Sequence, residues 1–169
     1  MTVAAAGAAA PVASAVSARI FLVVVDESDE LSLALTYACR RARHSGGRVA
    51  LLAVMEPTEF QNWRAVEDLM REERRLNAEL MLQRAAKEVF RRTGTMPVLY
   101  LREGERSQEL LRLIDEDLSI SILVMAAGTG PDGPGPVISA LAAAGFNHLR
   151  IPLTIVPGTL TEEQISAVS

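Results

Sequence analysis

The stretch ILVMAAGTGPDGPGPVIS, Ile122 to Ser139, runs an unbroken apolar segment into four glycines and three prolines. An apolar run of this kind suits a strand buried on both faces, and the glycines and prolines end it at its carboxyl end. The same pattern recurs in RIFLVVVDES (Arg19–Ser28), RVALLAVMEP (Arg48–Pro57), MPVLYLREG (Met96–Gly104) and IPLTIVPG (Ile151–Gly158). Amphipathic segments separate these runs. Strands alternating with helices demand a mostly parallel sheet with right-handed crossovers, an α/β fold. Ligands of such sheets bind beyond the carboxyl ends of the strands. Two of those ends carry chemistry: Asp26 after the first run, and the glycine-rich segment after the fourth.

The helical segments have readable ends. Leu31, Leu35, Ala38, Cys39 and Ala42 recur at spacings of three and four, with Ser28 as N-cap and Gly46 at the C-terminus. Asn62 to Arg92 contains no Gly or Pro and reads as one long helix. Its apolar positions, Val66, Leu69, Leu76, Leu80 and Val89, are interrupted by Glu73 and Gln83, which predicts a partly buried face. Ser107 caps a shorter helix facing the core with Leu110, Leu111 and Ile114, and a last one spans about Val137 to His148. The organisation is one domain, residues 19–158, between a disordered alanine-rich tail (1–18) and a C-terminal tail (159–169) with one helical turn at most.

Composition narrows the function. The 169 residues carry a formal net charge of −4, which removes the basic stripe of a nucleic-acid binder. Arg40, Arg41, Arg43 and Arg48 gather at a helix end, where cations suit the macrodipole. No apolar run approaches the roughly 18 residues of a membrane span. The N-terminus has no basic region and an alanine body, so it is read as a tail rather than a secretory signal, with the cytoplasm as the expected compartment. Cys39 is the single cysteine, expected as a packed core thiol, and His44 and His148 lie in no ligand-spaced motif. No metal site and no catalytic constellation is expected. Asp115, Glu116 and Asp117 read as a solvated surface turn.

Gly128 to Gly133 formally spells G-x-G-x-x-G. Pro131, Pro134 and Pro136 remove three amide donors from the segment, and no acidic residue follows at ribose distance, so the match is accidental. A P-loop is excluded because Lys87, the only lysine, sits inside the long helix. A phospho-receiver domain fits poorly, since the third strand ends in Arg102-Glu103.

The chain resembles the universal stress protein family. The resemblance covers about residues 19–158 and rests on VVVDESDELSLALTYACRRA, GGRVALLAVMEP, the glycine of LREGERSQELLRLI, and ISILVMAAGTG leading to IPLTIVPG. It is similar to a proteobacterial branch of that family. The resemblance implies a Rossmann-like sheet of five parallel strands in the order 3-2-1-4-5, helices on both faces, and a homodimer through Leu153, Thr154, Ile155 and Val156 of the last strand. It implies ATP or AMP as ligand, with Asp26, Val54 and Met125 on the adenine side. The family's phosphate loop, G-x2-G-x9-G-S/T, falls here on Ala126, Thr129, Ser139 and Ala140, around Gly128, and every motif position departs from the family's choice. A non-enzymatic stress protein with a degenerate nucleotide site is therefore the leading expectation. A nucleotide-controlled switch is the alternative, a slow phosphohydrolase ranks last, and an interaction module docking a client through the long helix and Trp63 is a further reading.

Overall fold

The computed structural model describes residues 18–58 and 64–169. Residues 1–17 of the expected N-terminal tail, and Trp63, lie outside the described residues. The five apolar runs become β1 (Ile20–Val24), β2 (Arg48–Met55), β3 (Val98–Glu103), β4 (Ile120–Ala127) and β5 (Leu153–Pro157). They pair in parallel in the order β3-β2-β1-β4-β5. The connecting helices are α1 (Leu31–Ser45), α2 (Arg64–Thr93), α3 (Arg106–Glu116) and α4 (Pro136–Ala144). A 3-10 turn, Phe146–His148, follows α4, and α5 (Glu162–Val168) ends the chain.

Strand order reverses between β1 and β4, so the crossovers lie on both faces. Alternate residues of β1 divide the core: Phe21 and Val23 face α1, α2 and α5, while Leu22 and Val24 face α3 and α4. Burial on both sides explains why the strands read as continuous apolar runs.

Several local expectations need correction. The N-cap position of α1 is Glu30, not Ser28, because Asp26 captures Ser28 in a turn of its own. The N-cap of α3 is Glu105, whose carboxylate accepts from the backbone N–H of Ser107 and Gln108 at 3.0 and 2.8 Å. In α3, Leu110, Leu113 and Ile114 are buried and Leu111 is only partly so. The face that α2 buries is Ala78, Leu82, Ala85, Ala86 and Val89, while Val66, Leu69, Leu76 and Leu80 are exposed. The C-terminal residues form the two-turn helix α5, not a single turn. A capping box closes its start, Thr161 and Gln164 exchanging side-chain and backbone bonds, and Ile165 is fully buried.

In the acidic run at the end of α3, Asp115 and Glu116 are exposed as a solvated turn requires, while Asp117 makes a structural corner. Asp117 accepts hydrogen bonds from Tyr100 Oη and from the Ser119 hydroxyl and backbone N–H. Those bonds, Ser119 first and Tyr100 second, hold the Asp117 carboxyl below its usual range. Burial, then the Asp117 bond, pushes Tyr100 up to about 12. Cys39 is buried as expected, and desolvation raises its thiol to about 11.

Candidate functional site at the carboxyl edge

β1, β2 and β4 all end at one rim. At its β1–β2 side lies a cleft of about 460 Å³, lined among others by Asp26, Val54, Glu56, Arg74, Arg106 and Pro136. An adjoining cleft of about 420 Å³ reaches past Asp26 between α1 and α2, to Ser32, Met81, Arg84 and Glu88. Asp26 stands between the two because the chain leaves β1 there, with Val25 N–H still bonded to the Leu52 carbonyl at 2.7 Å.

The Asp26 carboxylate is half-buried. Its Oδ1 accepts from the Ser28 backbone N–H at 3.0 Å and the Ser28 hydroxyl at 2.5 Å, an Asx turn that fixes the side chain. Oδ2 has no hydrogen-bond partner among the described residues and is left to accept from a ligand. Val54, near the end of β2, and Ala78 and Met81 of α2 give the cleft apolar walls. A flat, partly apolar ring carrying an N–H donor meets both surfaces.

Two cations come from outside the strand ends. Arg74 of α2 donates to the Glu56 carbonyl at 3.3 Å and to the Thr58 hydroxyl, which pins the β2–α2 connection. Arg106, first residue of α3, lies 3.9 Å from the Glu56 carboxylate. Sequence reading missed both. The signal for Arg106 was its place just past the end of β3, and hence on the carboxyl rim. The signal for Arg74 was helix length, since 30 residues at about 1.5 Å each make a rod longer than any strand here, and α2 starts at that rim. Asp26, Glu27 and Glu56 still outnumber the two guanidiniums, so the cleft is acidic overall.

The loop after β4 is arranged differently. The Gly128 N–H donates to the Pro134 carbonyl at 3.0 Å, and the Gly133 N–H to Gly130 at 3.2 Å. Ser139 N–H is already spent in α4, on the Gly135 carbonyl at 3.0 Å. Gly133 and Gly135 take φ of 87° and 116°, which the turn requires and other residues rarely adopt. Beneath the loop lies Glu30: a Cβ placed on Gly128 would be 3.8 Å from Glu30 Oε1, and one on Gly158 would be 3.2 Å from Glu30 Cγ. A carboxylate therefore sits against the loop, where its charge disfavours a second anion nearby.

Of the sequence-predicted residues, Asp26 and Val54 come together in the cleft. Met125 packs toward the α3–α4 core and Ala126 toward the α1–α2 core. Gly128, Thr129, Ser139 and Ala140 line neither cleft, and the loop reaches the first one only through Pro136. Among the described residues no group of three or more His, Cys, Asp or Glu is placed to hold a metal. No described helix is long and apolar enough to cross a membrane.

A sheet of this kind is shared by known proteins. The profile described as the universal stress protein family matches residues 18–157. The chain belongs to that family. Among solved structures it is similar to universal stress protein UspA from Lactobacillus plantarum, at 16% identity and TM-score 0.68, covering 83% of this chain and 97% of that one. A universal stress protein family member from Burkholderia pseudomallei matches at 23% identity and TM-score 0.62, over 82% and 95% of the two chains. One from Arabidopsis thaliana, solved with AMP bound, matches at 11% identity and TM-score 0.55, over 82% and 91%. No curated protein matches the chain.

Proposed function

We propose that this universal stress protein is a non-enzymatic cytoplasmic dimer supporting survival under stress, whose rim cleft takes adenosine or AMP in preference to ATP. The observation that carries this reading is the contrast at the rim. The Asp26–Val54 cleft is open, while on the loop the Gly128, Gly133 and Ser139 amides are already bonded and Pro131, Pro134 and Pro136 have none to offer. The Arabidopsis relative with AMP bound supports the ligand class. A second reading, a nucleotide switch, is favoured by Arg74 and Arg106, which place cations beside the cleft independently of the loop.

Thermal-shift titration of nucleotide-free protein with ATP, ADP, AMP and adenosine tests both. A ligand at a hundred times its Kd adds about 2.7 kcal/mol. At roughly 2–4 °C per kcal/mol the midpoint rises by several degrees. A saturable shift with AMP and adenosine but not ATP supports the first reading. Equal or larger shifts with ATP move the assignment to the switch, and no shift at millimolar ligand removes the nucleotide site.

The proposed dimer uses β5. That strand pairs only with β4 and leaves its other edge open, a pairing template unless something covers it. Ile155 is exposed on it and Leu153 and Thr154 partly so, whereas Val156 is buried within the protomer. At high salt, where charge-assisted contacts elsewhere are screened, Ile155→Glu is expected to release monomer in sedimentation, and an unchanged dimer would exclude this edge.

A further inference from the structure

The helix α2 has two apolar faces. One lies on the sheet through Ala78, Leu82, Ala85, Ala86 and Val89. The other points the opposite way: Val66, Leu69, Leu76, Leu80 and Phe90 are 45%, 71%, 51%, 49% and 49% exposed. A scattering of exposed leucines needs no explanation, but a stripe along one helix does. The spacing is that of a heptad. Residues 66, 69, 73, 76, 80, 83, 87 and 90 alternate steps of three and four, and five of the eight are large and apolar. On this frame Ala78 and Ala85 fall at the outer position of the heptad, which is why they meet the sheet.

We infer that this stripe is a self-association surface on which a second copy of the chain lays its own α2 antiparallel. Charge selects the occupant and the direction. From Val66 to Glu73 the helix carries four carboxylates, Glu67, Asp68, Glu72 and Glu73, against one arginine. From Gln83 to Arg92 it carries four cations, Arg84, Lys87, Arg91 and Arg92, against one carboxylate. A parallel pair sets each half on its like. An antiparallel pair sets the acidic half on the basic half twice.

The register follows from the spacing. Leu76 meets the partner's Leu80, Val66 meets the partner's Phe90, and Glu73 meets the partner's Gln83 beside the partner's Arg84. Leu69 packs on the aliphatic stem of the partner's Lys87. The two-fold axis passes near Ala78, on the side of the helix away from the sheet. The surface repeats under that axis, as an isologous interface requires. It lies on the β2–β3 side of the sheet, and β5 is the opposite edge.

Cysteine cross-linking of the full chain tests direction and register, since Cys39 is buried and silent. Glu79 flanks the axis, so Glu79→Cys is expected to form a disulfide-linked dimer under mild oxidation. Leu69→Cys, far from its own copy in an antiparallel pair, is expected to remain monomeric on a non-reducing gel. The reverse pattern, or no cross-link from either, overturns the inference. Sedimentation separates this surface from the β5 edge. Ile155→Glu is expected to leave a dimer that weakens as salt rises, and adding Leu76→Glu to dissociate it with an unchanged thermal midpoint. If Ile155→Glu alone is already monomeric at tens of micromolar, the stripe does not bind a second copy.

Discussion

At the carboxyl rim, the ends of β1 and β2 leave an acidic cleft with an uncommitted carboxylate oxygen on Asp26, whereas the loop after β4 commits its Gly128 and Gly133 amides internally and lacks three more at prolines. The two halves stand side by side on one sheet. Their difference lies in where hydrogen-bond capacity is left over. A cleft that keeps an acceptor and apolar walls can recognise a ring; a loop with two amides bonded internally, three prolines and Glu30 beside it has fewer donors left for phosphate. On the proposed reading, the fold keeps one half of a binding site without the other.

The largest effect expected from breaking this arrangement is at Gly158, which closes the loop side. A Cβ there would lie 2.3 Å from the Ala127 carbonyl oxygen, a backbone atom that cannot move aside. Gly158→Ala is expected to cost about 3 kcal/mol, the upper end for overpacking, read as a lowered denaturant midpoint. Gly128→Ala is the milder comparison. Its nearest contact is the Gly133 carbonyl at 3.0 Å, within a loop that can adjust, and about 1 kcal/mol or less is expected.

Next in size is ligand recognition at the cleft. Asp26→Ala is expected to abolish the AMP shift, up to about 2.7 kcal/mol at a hundredfold excess over Kd, while altering the unliganded midpoint little. A retained shift would put recognition elsewhere. The converse variant restores the family's pattern, Ala126→Gly, Thr129→Gly, Ser139→Gly and Ala140→Ser together. It is expected to gain an ATP shift the parent lacks; if it does not, Glu30 and the prolines, rather than the missing glycines, close the loop to phosphate.

The smallest effect lies away from the rim, where α1, α2 and α5 meet. Hydrogen bonds from Arg91, and from Arg92 against some burial, lower Glu88 from 4.5 to about 2. A carboxyl with a depressed folded pKa stabilises the fold above its unfolded value and loses that contribution as pH falls toward the folded one. Glu88→Gln is therefore expected to cost about 1 kcal/mol at pH 7, given its partial exposure. The difference from the parent should shrink between pH 4.5 and 2 in acid titrations followed by circular dichroism. A constant difference would mean the cost is packing rather than charge.

Much of the fold was legible in the sequence because burial on both faces writes itself as long apolar runs. Gly46 also marked the end of α1 correctly, taking positive φ. The buried face of α2 was not legible, since alanine carries most of it. Small residues let a helix lie close on a sheet but stand out little against leucine in an apolar pattern. The larger residues drew attention to the exposed face. Helix α5 was overlooked although T-E-E-Q, Thr161 to Gln164, is a capping-box signature before Ile165. At the site, Asp26 and Val54 could be found from strand ends alone. Arg74 and Arg106 needed the topology that carries α2 and α3 across the same rim.

The closed loop also bears on timing. Its prolines and internal bonds restrict its conformation, so on the proposed reading this loop need not open before a small molecule enters the cleft or shut after it arrives. Entry is then a collision, and departure is set by the lifetime of a few contacts. A site of this kind does not hold a past event. Its occupancy follows the free concentration of its ligand as that rises and falls.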